Sequence, residues 1–138
     1  RMKEILDFLA QSPAFYVATS DANNQPRVRP FGLVFEWNGK LAFGTNTTKN
    51  VYKQLEQNPL VEICSFAPTG EWMRISGTVK FANDIEVKRE MFRVMPDLKK
   101  IYPEAENDPT AICFYIDKGE AALYNFASMN EQFKITKL

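Results

Sequence analysis

LVFEWNGKLAFG, residues 33–44, holds two apolar runs separated by Trp37-Asn38-Gly39-Lys40. Asn-Gly between two such runs is the strongest short hairpin signal, because both central residues of the tight turn need positive φ. The stretch therefore predicts an antiparallel β-hairpin, with a first strand over residues 27–36 and a second over 41–45. The first strand carries a Pro-Phe-Gly irregularity at 30–32, which a strand tolerates at an edge or a bulge.

The same reading extends outward from the hairpin. Met2, Ile5, Leu6 and Leu9 have helical spacing, and Ser12-Pro13 ends that helix. Phe15 to Thr19 predicts a strand, and DANNQP at 21–26 a turn. Residues 51–57 predict a short helix stopped by Asn58-Pro59, and 60–67 a strand. From 71 to 81, Trp72, Arg74, Ser76 and Thr78 alternate with Met73, Ile75, Gly77 and Val79, the pattern of a half-buried antiparallel strand. Asp84 can cap a helix over 85–94, which Met95-Pro96 breaks. A short helix over 97–102, an acidic loop over 103–109, and strands over 111–116, 121–126 and 132–137 complete the chain. Hairpin-linked strands with a few edge helices predict a mainly β, α+β fold: a small antiparallel barrel in one domain over residues 2–138.

Composition removes several function classes. Lys plus Arg and Asp plus Glu both number 17, which argues against a general nucleic-acid binder. There is no histidine. Ser-His-Asp and Cys-His catalysis, histidine metal sites and histidine-ligated haem are thereby excluded. No apolar run approaches the ~20 residues of a membrane span. Cys64 and Cys113 sit in apolar runs and read as two buried free thiols, which suit a reducing cytoplasm.

Four groups can carry chemistry, and each has a plain structural alternative. In FGTNTTKN, residues 43–50, Thr47 or Thr48 can simply cap the following helix. Alternatively Thr45, Asn46, Thr48 and Lys49 can join helix N–H groups around one phosphate, although the spacing is not that of a P-loop. Arg27 and Arg29 share a face of one strand: a solvated face, or two guanidiniums with an anion between them. Trp72 and Arg74 either cover a hydrophobic edge or offer an aromatic plane and a cation to a planar, anionic cofactor or a partner subunit. Tyr124 and Phe126 are core residues or the lining of a ring site. With no histidine and no convincing carboxylate pair, a bound cofactor would have to carry any redox chemistry.

In this order, RVRPFG, WNGKLAFGTNTTKNVYKQLEQNP, VEICSF and GEWMRISGTVKF resemble the pyridoxamine 5′-phosphate oxidase-like flavoproteins, over about residues 2–126. The resemblance implies a six-stranded antiparallel split β-barrel with peripheral helices. It implies a homodimer with FMN in clefts at the interface and a small-molecule substrate. By the same resemblance, backbone groups of Arg27, Val28, Arg29 and Pro30 lie along the flavin ring. Gly44, Thr45, Asn46 and Thr48 contact the ring edge and ribityl chain. Lys49 pairs with the 5′-phosphate, helped by Thr48 and one of the two arginines, and Trp72 and Arg74 approach the cofactor, in such proteins often from the other subunit. The sequence departs from true pyridoxamine phosphate oxidases by lacking their C-terminal arginine-and-histidine segment, so oxidation of vitamin B6 is not expected. Haem-handling relatives use histidine, so haem is not expected either; a deazaflavin stays open beside FMN. The function implied is a flavin-dependent oxidoreductase using a reductant such as NAD(P)H, with a non-catalytic flavin carrier or redox sensor as the alternative.

Overall fold

A computed structural model describes residues 2–125 and 134–138. Helix α1 (Met2–Leu9) leads into strands β1 (Phe15–Ser20), β2 (Pro26–Phe31), β3 (Val34–Trp37) and β4 (Lys40–Asn46). Helix α2 (Asn50–Gln57), strands β5 (Leu60–Phe66) and β6 (Glu71–Ala82), helix α3 (Ile85–Val94), strand β7 (Ala111–Asn125) and strand β8 (Lys134–Lys137) follow. Short 3-10 turns at Pro96–Lys100 and Ala105–Asn107 link α3 to β7.

The hairpin forms as the sequence predicts. Trp37 pairs with Lys40, and Asn38 (φ 50°) and Gly39 (φ 78°) supply the two positive φ values of the turn. All strand pairs are antiparallel, in the order β2-β1-β5-β6-β7-β4-β3, with β8 on β7.

The strand count differs from the expected six: the path has seven strands, with β8 an eighth off it. Six is the count implied by the resemblance; against the eight strands read from the residues, the structure makes two changes that cancel in number. The irregularity after Pro30 divides the predicted first hairpin strand into β2 and β3, which lie at opposite ends of the path. Conversely, the two strands predicted over 111–116 and 121–126 are one. Residues 118–120 continue the β6 ladder, and Asp117 is skipped at a register shift between Thr78 and Val79. Such an irregularity bends a strand without ending it. The expected strand residue Phe126 lies outside the described residues.

Side chains from strands far apart in the sheet order pack together on its inner face. Phe15 on β1 contacts Phe43 on β4 at 5.9 Å between ring centroids, and Phe31 on β2 contacts Phe114 on β7 at the same separation. Phe43 stacks on Phe114 at 5.1 Å. Aromatic pairs of this kind contribute about 0.5–1.5 kcal/mol each beyond their area burial. Ile5, Phe8 and Leu9 of α1, and Val51 and Leu55 of α2, pack on this core. A second apolar cluster lies under α3, where Val87, Met91 and Phe92 cover Ala42 and the buried Cys113. Burial pushes the Cys113 thiol up to about 12. Cys64 corrects the expectation of two buried thiols: it is exposed, on the outward face of β5.

A loop tether sets the path back from α3. Buried Lys88 donates from Nζ to the Asp108 carbonyl at 3.0 Å. The Asp108 carboxylate accepts from the Thr110 hydroxyl at 2.7 Å and from its N–H at 2.8 Å, and these bonds hold the carboxyl below its ordinary range. The bonded form is the ionised one. Its contribution is therefore full above the unfolded carboxylate pKa and is lost as pH falls through the lowered folded value. Asp108→Asn is expected to lower the unfolding midpoint at neutral pH. The gap from the native protein should close in acid, and a gap constant across pH would contradict this.

Candidate cofactor site

A cavity of about 280 Å³ lies between the end of β2, the end of β4, the start of α2 and the segment after α3. It is lined by Arg29 and Pro30 on one side, by Gly44, Thr45, Asn46 and Lys49 on a second, and by Met91, Met95, Leu98 and Tyr102 as an apolar cover. Six of the eleven residues the sequence singled out thus line one space.

Arg29 enters it from the edge strand. Arg27 and Arg29 pair with buried Thr19 and Val17, so their side chains project on the inner side of β2, while Val28 and Pro30 face outward. The Arg29 guanidinium donates from Nη1 to Thr19 Oγ1 at 2.7 Å and to the Val17 carbonyl at 3.2 Å, and from Nη2 to Gln54 Oε1 at 2.8 Å. Burial pulls its pKa below the ordinary value, yet an arginine stays charged. Arg27 instead donates from Nε to Asp21 Oδ2 at 3.0 Å. The Asp21 carboxyl is held low chiefly by the backbone N–H groups of Gln25 and Asn23, with Arg27 adding to them. Each arginine therefore has its own partners, and the expected shared anion between the two is not needed to relieve their repulsion.

The FGTNTTKN stretch does not cap α2 with a threonine. Asn46 Oδ1 accepts from the Thr48 N–H at 3.0 Å and from its hydroxyl, and Thr47 N–H goes to the Thr110 carbonyl. Asn46 Nδ2 donates to the Tyr102 hydroxyl at 2.7 Å, fastening the cover to β4. This turn places Lys49 at the N-cap with no side-chain cap bond. Helix α2 has no acidic residue in its first turn, so its partial positive end is not offset there. Among the described residues the Lys49 ammonium makes no ion pair or hydrogen bond. Asp84 stands at the N-cap of α3 as expected, though its side chain makes no cap bond.

Thr45 adds an unpaired polar atom. It is 5% exposed, and its Oγ1 is shut from solvent with no partner among the described residues. A buried hydroxyl left so costs about 1–3 kcal/mol. A polar ligand atom in the cavity would relieve that cost. The donor set here is a lysine, an arginine, an uncapped helix start and a buried unpaired hydroxyl beside an apolar cover; it fits an anionic group next to an apolar one.

Four of the remaining residues lie elsewhere. Thr48 is spent on Asn46, and Val28 is 67% exposed on the outer face. Trp72 and Arg74 are on β6, separated from β2 by β5 and β1. Trp72 stacks on Tyr124 at 4.1 Å, and the Arg74 guanidinium lies 5.1 Å and 5.3 Å from those two rings. Arg74 Nε also pairs with Glu62 at 3.0 Å, while burial raises the Glu62 carboxyl. One chain does not bring this pair to the cavity.

The family model described as pyridoxamine 5′-phosphate oxidase matches residues 2–122. The chain belongs to this family. A NimC/NimA family protein of Clostridium acetobutylicum is 38% identical, with a TM-score of 0.89 over 99% of this chain and 93% of that one. A pyridoxamine 5′-phosphate oxidase-related, FMN-binding protein of Nostoc punctiforme is 16% identical, with a TM-score of 0.71 over 99% and 95%. PhzG of Burkholderia lata, solved with tetrahydrophenazine-1-carboxylic acid, is 14% identical, with a TM-score of 0.71 over 99% and 89%. The last two share the fold with this family member. No curated protein matches the sequence.

Sequence reasoning missed Gln54, Thr19 and the cover residues Met91, Met95, Leu98 and Tyr102. A signal existed for Gln54, which precedes the inward-facing Leu55 on α2. The cover had a weaker one, the Met95-Pro96 break, which says that α3 ends without saying over what.

Proposed function

We propose that residues 2–138 form one FMN-binding split-barrel domain that acts as a homodimeric oxidoreductase. The observation that carries this is the convergence of Lys49, Arg29, the uncapped start of α2 and the unpaired Thr45 hydroxyl on one cavity with an apolar cover. Lys49 and Arg29 hold the phosphate. Gly44, Thr45 and Asn46 meet the ring edge and ribityl chain, and the backbone of residues 27–30 borders the ring. When bound, FMN supplies electron transfer between a reductant such as NAD(P)H and a small-molecule acceptor. The chain itself binds, orients and excludes water through Met91, Met95 and Leu98. Among the described residues no helix is long and apolar enough to cross a membrane. Two unpaired thiols support a reducing, cytoplasmic setting.

The test is a fluorescence-quenching titration with FMN, which should saturate at one flavin per chain; no quenching overturns the reading. Steady-state oxidation of NAD(P)H by the loaded protein then separates an enzyme from a carrier or sensor. Tight binding without turnover selects the latter.

The outer sheet face supports the homodimer. Phe66 (56% exposed) pairs across from Trp72 beside the Trp72–Tyr124 stack, and Tyr16 (52%) on β1 and Val28 (67%) on β2 extend the same outer face. An exposed apolar face of this kind marks an interaction surface. A second copy seated there would carry Trp72 and Arg74 to a shared flavin cleft. Trp72→Ala is expected to weaken the dimer by about 2 kcal/mol, as loss of a buried aromatic anchor does. Sedimentation should then show a shift toward the 15.9 kDa monomer. A dimer of native strength with native flavin affinity would remove Trp72 from the interface.

A further inference from the structure

Thr19, Arg29 and Gln54 close a ring of hydrogen bonds across three elements. The Thr19 hydroxyl accepts from Arg29 Nη1 at 2.7 Å and donates to Gln54 Oε1 at 2.6 Å. The same Gln54 oxygen accepts from Arg29 Nη2 at 2.8 Å. A guanidinium has donors and no acceptors, so the Gln54 oxygen, not its NH₂, must face it; the orientation of the amide follows from the chemistry. Thr19 is 4% exposed, so the ring sits at the edge of the core rather than in solvent.

The ring matters because of where its members lead. Arg29 lines the cavity from β2. Gln54 belongs to α2, the helix whose uncapped start and Lys49 border the same cavity. The Gln54 oxygen is the side-chain acceptor that holds Nη2 and ties that strand to the helix carrying the other cation, while Nη1 is held by Thr19 Oγ1 and the Val17 and Arg27 carbonyls. Gln54 leaves the Arg29 charge intact, since an amide is neutral, and among the described residues Arg29 Nε donates to nothing. A carboxylate at position 54 could make the same two bonds but would neutralise the cation.

We propose that Gln54 is a positioning residue: it holds Arg29, uncompensated in charge, toward the phosphate of the bound cofactor. This rests on the FMN reading above.

The experiment compares FMN with riboflavin, which lacks the phosphate, by fluorescence quenching in the full chain. Native protein should prefer FMN. Gln54→Leu should weaken FMN about tenfold, the worth of a hydrogen bond to a charged group, while riboflavin stays within about twofold. In an Arg29→Ala background, Gln54→Leu should add nothing, because the residue it positions is gone. Gln54→Glu, which keeps the bonds, should melt at or above the native temperature and still lose preference for FMN. Equal loss of both flavins in Gln54→Leu, or additivity with Arg29→Ala, overturns the proposal while native preference for FMN leaves the cofactor reading standing. Native protein that binds neither flavin sinks both.

Discussion

Lys49→Ala is expected to weaken FMN binding by about 10- to 100-fold while leaving riboflavin close to its native affinity. A charge-assisted hydrogen bond contributes about 1.5–3 kcal/mol, and a phosphate is the group that can receive it here. Lys49 stands at the N-cap of α2, and its ammonium has no competing carboxylate among the described residues. Removing it therefore strands no protein charge and should cost little stability. The measurement is a pair of titrations at fixed ionic strength, because the Coulomb part is screened by salt. Equal losses for the two flavins would place Lys49 away from the phosphate. A fall in melting temperature with no change in either affinity would make it a helix-start residue alone.

Gly119→Ala is expected to lower the melting temperature by roughly 10 °C, corresponding to about 3 kcal/mol at this chain length. Gly119 pairs directly with Gly77 across β6 and β7. A Cβ on Gly119 would press into the backbone carbonyl of Ser76 and come within 3.0 Å of the Gly77 Cα. Backbone in a ladder cannot step aside as a side chain can, so the strands must separate. The site is also where β7 changes service, pairing with β4 through residues 111–115 and with β8 through 120–123. Gly70→Ala is the control. Gly70 has φ 91° and nothing within 4 Å of an added Cβ, so its loss is conformational, about 1–2 kcal/mol. A Gly119 variant that melts within two or three degrees of native, or less cooperatively damaged than the Gly70 variant, would refute the steric account.

The parts of the fold that were legible were those written in local chemistry. Asn38-Gly39 specified the hairpin, and the alternation from Trp72 to Val79 specified which face of β6 is buried. The long β7 was not legible. Gly119 and its neighbours look like a break between strands, and the β6 partner that carries the ladder through them is far away in sequence. Cys64 was misjudged for a related reason. An apolar run tells that a strand is there, while its exposure depends on which face the neighbouring strands leave open.

The candidate site divides the same way. The sequence by itself determined the fold class, the hairpin, the absence of any histidine chemistry, and the two segments that reach the cavity, Arg29-Pro30 and Gly44 to Lys49. It could do so because a turn, a strand period and a helix start are set by neighbouring residues. Tertiary structure alone decided that Arg27 belongs to Asp21, that Arg29 belongs to Thr19 and Gln54, and that Met91, Met95 and Tyr102 close the cavity. It also set Trp72 and Arg74 on the far side of two strands. The reason is physical: a side chain's partners are fixed by which strands lie side by side. That order follows from burying Phe15, Phe43 and Phe114 together, a requirement no local stretch expresses.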